Sequence, residues 1–319
     1  MGGAGSRPSA TTVRSMSVCM TTSVPRTHRR SLLRAGLGLC LWRGVGGPAA
    51  TTLSHEASQR RGVTRRLRFE ISVQNTGSSI LPSQSLWAYA PVRTTGYQDL
   101  LEVHSNLAVS QHVDAIGQSV LHWRLPDMSP HAARLISLDV VVRLYAQPRP
   151  ETVVDGEWLK PERYVESDDA ALQALAHRLK QRNPMDTLQS VYDHVRSTLR
   201  YSGYVADDWG ALRALTEGQG DCTEYAYLVV ALCRAAGLPA RAMGGFVAHQ
   251  DAAPRAAEYH NWAEVYVDGV WRLVDAQREV FQVEAEAYVA FRRITDQVHS
   301  RMGLAHRFVT DGPAHIHFR

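Results

Sequence analysis

From Leu67 the chain alternates. Leu67, Phe69, Ile71 and Val73 are apolar, while Arg68, Glu70, Ser72 and Gln74 between them are polar. A period of two predicts a strand with one face on a core and the other in water, and Asn75-Thr76-Gly77 predicts the turn that closes it. Similar runs follow at SLWAYAPV, SVLHWRL and ISLDVVVRLYA, the last placing Ile136, Leu138, Val140 and Val142 on one face. Short strands separated by turn signals, with no helical period among them, predict an antiparallel β-sandwich over residues 65–147.

A proline-rich polar stretch, QPRPETVVDGEWLKPERYVESD, reads as a linker over 148–166. The period then changes to that of helices. SDDAALQALAHRLKQR sets Leu172, Leu175, Ala176 and Leu179 on one stripe behind Ser167 as N-cap, and Leu188, Val191, Tyr192, Val195 and Leu199 mark a second helix after Asn183-Pro184. Residues 203–221 read as an ordered loop. A third helix starts near Cys222 and stops at Gly237-Leu238-Pro239, and strand-like ARAMGGFVA, HNWAEVYV and VWRLVDA follow. Residues 167–319 are thus expected to form an α+β domain, helices first and antiparallel strands after.

Charge changes the picture at the N-terminus. The 319 residues carry 35 basic and 31 acidic side chains, but residues 1–50 hold seven arginines and no acid. Removing those seven leaves 28 basic against 31 acidic residues. The body is slightly negative, which argues against a nucleic-acid partner or an anionic membrane surface. HRRSLLRAGLGLCLW followed by GGPAA joins a charged segment, a short apolar run and a small-residue patch, the parts of an export signal. Arg29-Arg30 before Ser31, Leu32 and Leu33 resembles a twin-arginine leader. Residues 1–50 are therefore expected to be an unstructured leader on an exported, periplasmic protein, with no spanning segment in the mature chain.

The four cysteines divide evenly. Cys19 and Cys40 lie in the leader, and bulky Leu39 spoils a lipid-attachment box at Cys40. Cys222 and Cys233 are eleven apart in one predicted helix, about 16 Å along its axis, well beyond the roughly 7 Å between Cα atoms that a disulfide spans. Asp221 is a good N-cap, which puts Cys222 in the first helical turn. There unpaired amides and the positive dipole end favour thiolate, while the Asp221 carboxylate opposes it. Gly218 and Gly220 allow close approach of backbone to a substrate, and the Cys222 amide faces a developing oxyanion.

In YHNWAEVYVDGVWRLVDAQ, Asp268-Gly269 predicts a two-residue hairpin turn. Pairing Val267 with Val270 sets Trp262 opposite Asp275 and makes His260 the diagonal neighbour of Asp275 on one face. A three-residue turn would break this, because a slip of one flips every side chain. Cysteine, histidine and aspartate then supply nucleophile, base and orienting group. Trp262 would wall the same cleft or fill a core. His249 is expected to face solvent, and His315 and His317 in AHIHF to be a polar tail; no metal is expected there.

GQGDCTEYAYLVVALCRAAGLPAR followed by YHNWAEVYVDGVWRLVDA resembles the bacterial transglutaminase-like core, a relative of the papain fold, from about 210 to 277. The sandwich also looks like a domain found ahead of that core. The resemblance implies Cys222 as nucleophile, His260 as general base and Asp275 as orienting carboxylate. It further implies thiol acyl transfer on peptide or glutamine-type amides through a thioester, as a peptidase, an amidase or a transamidase. The family's side-chain oxyanion donor falls on Tyr204, Trp209 or Gln219, left open among the three. No clustered acids mark the calcium sites of animal transglutaminases, and no cofactor is expected. The substrate would be a peptide or protein, a cell-envelope polypeptide among the choices. The rival readings are a non-catalytic peptide-binding module on the same fold and a small-molecule acyltransferase.

Overall fold

Strand β1 (Val63–Gln74) carries the predicted alternation into the core: Leu67, Phe69, Ile71 and Val73 are all buried. Each contributes about 1.5–3 kcal/mol by leaving water. The computed structural model describes residues 62–151, 156–205 and 207–318; the expected leader lies outside them. After β1 come β2 (Gln84–Tyr89), β3 (Gln98–Ser105), β4 (Ser110–Val113), β5 (Ser119–Leu125) and β6 (Ala133–Leu144). They form two antiparallel sheets facing each other across a core that includes Leu86, Trp123 and Leu138.

The sandwich does not end at residue 147. Strands β14 (Phe308–Thr310) and β15 (His315–Phe318) return from the far end of the chain, and the sheets read β15-β1-β6-β3 and β14-β2-β5-β4. Ile71 pairs with Phe318 and Leu86 with Thr310. His315 and His317 therefore sit in a strand rather than in a tail. The stretch after 147 is also tied down: Arg149 bonds Asp99 at 2.7 Å, Glu151 bonds Arg241 at 2.9 Å, and buried Trp158 meets Trp271 edge-on.

Four helices follow, with a short parallel pair of strands, β7 (Arg200–Tyr201) and β8 (Gln219–Gly220), and then a five-stranded sheet. Helix α1 (Ala170–Leu179) is capped by Asp169, whose Oδ1 accepts from the Ala171 amide, and not by Ser167. Helix α2 (Pro184–Thr198) starts as expected, with Asn183 as N-cap and proline in its first turn. A seven-residue helix, α3 (Ala211–Glu217), occupies what the sequence suggests is loop. Its first amides, on Ala211 and Leu212, donate to Glu166 Oε2 from 45 residues upstream. Helix α4 (Cys222–Ala235) is buried on every side from Thr223 to Arg234, as a helix apolar all round must be. Its C-terminus closes with Gly237 at φ 89° and the Leu238 amide on the Cys233 carbonyl.

Helix α4 lies on a five-stranded antiparallel sheet. The strands are β9 (Ala240–Val247), β10 (His260–Val267), β11 (Val270–Asp275), β12 (Val280–Phe281) and β13 (Tyr288–Ile294), in the order β12-β11-β10-β9-β13. Ala240, Ala242, Ala263 and Val265 lie in the same core as α4, small side chains that bring helix and sheet close. Beyond the start of α4, Phe246 and Phe291 pack instead into the sandwich core. The described fold is α+β, an antiparallel sandwich followed by helices on an antiparallel sheet.

Gly245 lies between His260 on β10 and Ala290 on β13. A Cβ there would run into the Val289 carbonyl, which is backbone and cannot swing away. Gly245→Ala should cost about 2–4 kcal/mol, measured by chemical denaturation. Gly77→Ala, whose Cβ would meet an ordinary contact at 3.4 Å, serves as a control expected within about 0.5 kcal/mol of the parent.

Candidate active site

Two carboxylates build the start of α4. Asp221 Oδ1 accepts from the Thr223 amide at 2.7 Å, and Glu224 Oε2 accepts from the Asp221 amide at 3.0 Å, a reciprocal capping box. Their other oxygens reach outward, Asp221 Oδ2 to the Val205 amide and Glu224 Oε1 to the Trp209 amide. The loop before α3 is thereby pinned to the helix end. Cys222 is the first helical residue, partly exposed, with its amide among the first-turn donors that lack an intrahelical partner.

The hairpin adopts the expected register. Asp268 (φ 53°) and Gly269 (φ 79°) both occupy the left-handed region, as the favoured two-residue turn requires, and Val267 pairs with Val270. His260 Nε2 then sits 2.6 Å from Asp275 Oδ2, both residues buried. Nε2 is thus the ring nitrogen that faces the carboxylate, and Nδ1 is the one turned away from it. The Tyr288 hydroxyl of β13 donates to the same Oδ2 at 2.8 Å, and the Arg278 amide donates to Oδ1 at 3.0 Å. Trp262 is buried between them, edge-on to Tyr288 at 5.1 Å, and is core rather than cleft wall.

The thiol meets the hairpin at one peptide. The Asn261 side chain donates to Thr223 Oγ1 at 2.9 Å, and the Asn261 backbone amide acts on the Cys222 sulfur so as to favour its charged form. That amide belongs to the peptide linking His260 to Asn261. Helix start and histidine strand are thus in direct contact.

A cysteine at a helix start, laced to a strand that opens with a carboxylate-bound histidine, fits one family model. Residues 173–276 match the Transglutaminase-like superfamily core. They form a transglutaminase-like domain. No curated protein is significantly similar to the chain. Among solved structures, a candidate cysteine protease from Cytophaga hutchinsonii is 21% identical, with 81% of this chain and 92% of that one covered and a TM-score of 0.54. The fold of the transglutaminase-like domain and of much of the sandwich therefore recurs there. The periplasmic domain of TgpA from Pseudomonas aeruginosa is 16% identical over 72% of this chain and 94% of its own, at a TM-score of 0.38. A candidate protease from Parabacteroides distasonis is 18% identical over 66% of this chain and 43% of its own, at 0.30.

One expectation about the transglutaminase-like domain is reversed. Burial first, and Asp221 second, push the Cys222 thiol up to about 12, with Asp275 and Glu224 adding to the rise and the Asn261 amide opposing it. Burial and the neighbouring charges outweigh the helix end and favour the thiol over the thiolate. Glu224 is itself pushed up to about 7, burial again leading. Cys233, fully buried deeper in α4, is raised by burial.

The three proposed oxyanion donors are scattered. Tyr204 is largely exposed, Trp209 lies under the Arg213 guanidinium, and Gln219 bonds Arg200 and Glu217 at the protein edge. Tyr201 was not among them, although its hydroxyl is pushed up by burial first and then by its neighbours Cys222 and Asp221. Sequence reading also missed Tyr288, whose strand YVAFRRI shows no alternation to mark a face. His249 is exposed. Among the described residues there is no cluster of three metal-ligating side chains and no helix long and apolar enough to cross a membrane.

Asp221→Asn keeps a capping oxygen but removes a charge beside the sulfur. The Cys222 pKa should fall, and alkylation at pH 8 should accelerate about 3–10-fold, one pKa unit being worth tenfold in thiolate. Mass spectrometry of iodoacetamide-treated protein, resolving Cys222 from Cys233, measures the rate; an unchanged rate would mean that burial alone sets the thiol.

Proposed function

We propose that the transglutaminase-like domain is a thiol acyl-transfer enzyme that hydrolyses peptide or glutamine-type amide bonds, with Cys222, His260 and Asp275 as nucleophile, base and orienting group. The observation that carries the reading is the 2.6 Å bond from His260 Nε2 to Asp275. It holds the imidazole in the tautomer whose Nδ1 can take a proton.

The raised thiol pKa dictates the order of events. Cys222 waits as a thiol, and on this reading its proton moves to His260 Nδ1 as sulfur attacks the carboxamide carbon. The Cys222 amide, free at the helix start, faces the oxyanion. The imidazolium returns its proton to the departing amine, the C–N bond breaks and a thioester remains. Water, deprotonated by Nδ1, attacks the thioester; the carboxylic acid leaves and sulfur recovers the proton. A second amine in place of water would give a transamidase by the same steps. The twin-arginine pattern supports action outside the cytoplasm, on a cell-envelope polypeptide.

The test is release of ammonia or amine from glutamine-containing peptides, with and without an added primary amine. Cys222→Ala and His260→Ala should each lower kcat at least about 10³-fold, the scale of loss when a nucleophile or base is removed. Alkylation of Cys222 should also slow in His260→Ala. No turnover of any amide, together with labelling indifferent to His260, would leave a peptide-binding module on this fold.

Tyr288→Phe examines the carboxylate's second donor. The hydroxyl acts through Asp275 as a positioning group, so kcat should drop about 3–30-fold with KM little changed. The acidic limb of the kcat/KM–pH profile should move as well. An unaltered profile would reduce Tyr288 to packing.

A further inference from the structure

Trp262, Leu273 and Tyr288, the neighbours of His260 and Asp275, are packed against the sandwich rather than against the helices. They share a buried cluster with Val92 and Tyr97. Two consecutive sandwich residues reach this cluster from residues 93–98, where the chain passes from β2 into β3. The Tyr97 hydroxyl accepts from the Leu273 amide at 3.2 Å, two residues before Asp275 on β11. Gln98, fully buried, bonds Ala290 twice: its Oε1 accepts from the amide at 2.8 Å and its Nε2 donates to the carbonyl at 3.0 Å. Ala290 lies two residues after Tyr288 on β13, and the Tyr288 hydroxyl donates to Asp275 Oδ2 at 2.8 Å. Each sandwich side chain thus holds a strand whose next residue on the same face is part of the Asp275–Tyr288 contact.

Strand β13 needs this hold because its ladder is interrupted at the same point. Ala290 pairs with Gly245 and Arg292 with Gly244, which leaves Phe291 as the extra residue of a β-bulge. A slip of one residue there would turn Tyr288 to the opposite face. The Gln98 carboxamide donates to and accepts from one residue, as a neighbouring strand would. Gln118, also from the sandwich, does the same across the bulge: its Nε2 donates to the Phe291 carbonyl and its Oε1 accepts from the Arg293 amide at 2.7 Å.

The loop itself is tied down. Arg149 donates to the Thr95 and Gln98 carbonyls at 2.9 and 3.2 Å, and Glu151 accepts from the Gly96 amide at 3.0 Å. A further bond from Gln98 Nε2 to the Val92 carbonyl, at 2.7 Å, leaves the buried carboxamide well satisfied. Such a group adds little net stability over an apolar side chain, but it specifies one arrangement of the backbone around it.

We infer that residues 93–98 of the sandwich belong to the catalytic apparatus: Tyr97 and Gln98 are positioning residues that hold β11 and β13 so that Asp275 and Tyr288 meet, and thereby set the His260 imidazole. Calling the apparatus catalytic rests on the acyl-transfer reading; the dependence of the His260–Asp275 geometry on the sandwich does not. The transglutaminase-like domain is then incomplete without the domain ahead of it.

The test compares three variants of the full chain. Tyr97→Phe removes one hydroxyl, and Gln98→Met keeps the length of the side chain without its bonds to Ala290. Ser105→Ala, at the far end of β3, removes the acceptor 3.0 Å from Trp123 Nε1 and disturbs the sandwich core alone. The first readout needs no substrate. Ring-nitrogen chemical shifts of His260, assigned by their loss in His260→Ala, report its contact with Asp275. They should change in Tyr97→Phe, change further in Gln98→Met and keep their parent values in Ser105→Ala, although all three variants melt at lower temperature. The second readout is turnover of glutamine-containing peptides. With KM within about twofold, kcat should fall about 3–10-fold in Tyr97→Phe and about 10–100-fold in Gln98→Met, and stay at the parent value in Ser105→Ala. Tyr97→Phe combined with Tyr288→Phe should lose less than the product of the single losses, because both act through Asp275.

Unchanged His260 shifts in Tyr97→Phe and Gln98→Met would overturn the inference and reduce the loop to packing. So would shifts that Ser105→Ala alters as much, or altered shifts with kcat kept at the parent value. If Gln98→Met does not fold, Tyr97→Phe decides. The two readings fail separately. Altered shifts without amide turnover by the unmutated protein remove the chemistry and keep the positioning, whereas turnover with kcat and shifts unmoved by Tyr97→Phe does the opposite.

Discussion

The start of α4 has to be held by carboxylates, and much of the remaining architecture follows from that. A helix that begins inside a protein exposes amides that water cannot reach. Asp221 and Glu224 satisfy the Thr223 and Asp221 amides, then use their remaining oxygens on Val205 and Trp209. Four oxygens thus fix the helix end and the loop beside it. Burial first, and the Asp221 and Glu224 charges after it, raise the pKa of the sulfur beside them. The device that builds the site also holds it at rest, and on the proposed mechanism the histidine must do the activating.

How much of this was legible in the sequence depended on the range of the interaction. The His260–Asp275 geometry was readable because Asp268-Gly269 fixes the register locally, within two residues of turn. Helix α4 and its stop at Gly237 were readable for the same reason. Helix α3 was not, because its cap comes from Glu166, remote in the chain. Strand β13 was hidden by Arg292 and Arg293, which look like surface residues. Glu151 bonds Arg293 at 3.1 Å and Arg241 at 2.9 Å, and Arg241 meets Glu264 at 2.7 Å, so these cations are buried as part of a network that no local pattern announces. The thiol's protonation went the other way from expectation because burial, its largest cause, is a tertiary property.

The sandwich is joined to the transglutaminase-like domain by more than its connecting stretch. Phe69 and Leu138 share a core with Phe246, Val289 and Phe291 of the five-stranded sheet. On the other face Val92 and Tyr97 pack with Trp262, Leu273 and Tyr288. The Tyr97 hydroxyl accepts from the Leu273 amide on β11, the strand that ends in Asp275. The first domain therefore supports the second from both sides of one sheet.

The returning strands impose an order on assembly. Strand β1 keeps one edge open until His315–Phe318 arrives, and β2 waits likewise for Phe308–Thr310. Nearly the whole described chain separates each pair, so closing those edges carries a large loop-entropy cost and comes late. Until then two sheet edges remain as templates for other strands. A chain made only as far as the five-stranded sheet cannot complete this fold, whatever its first half has achieved. The sandwich that is made first is finished last, and its closure waits on Phe308–Thr310 and His315–Phe318.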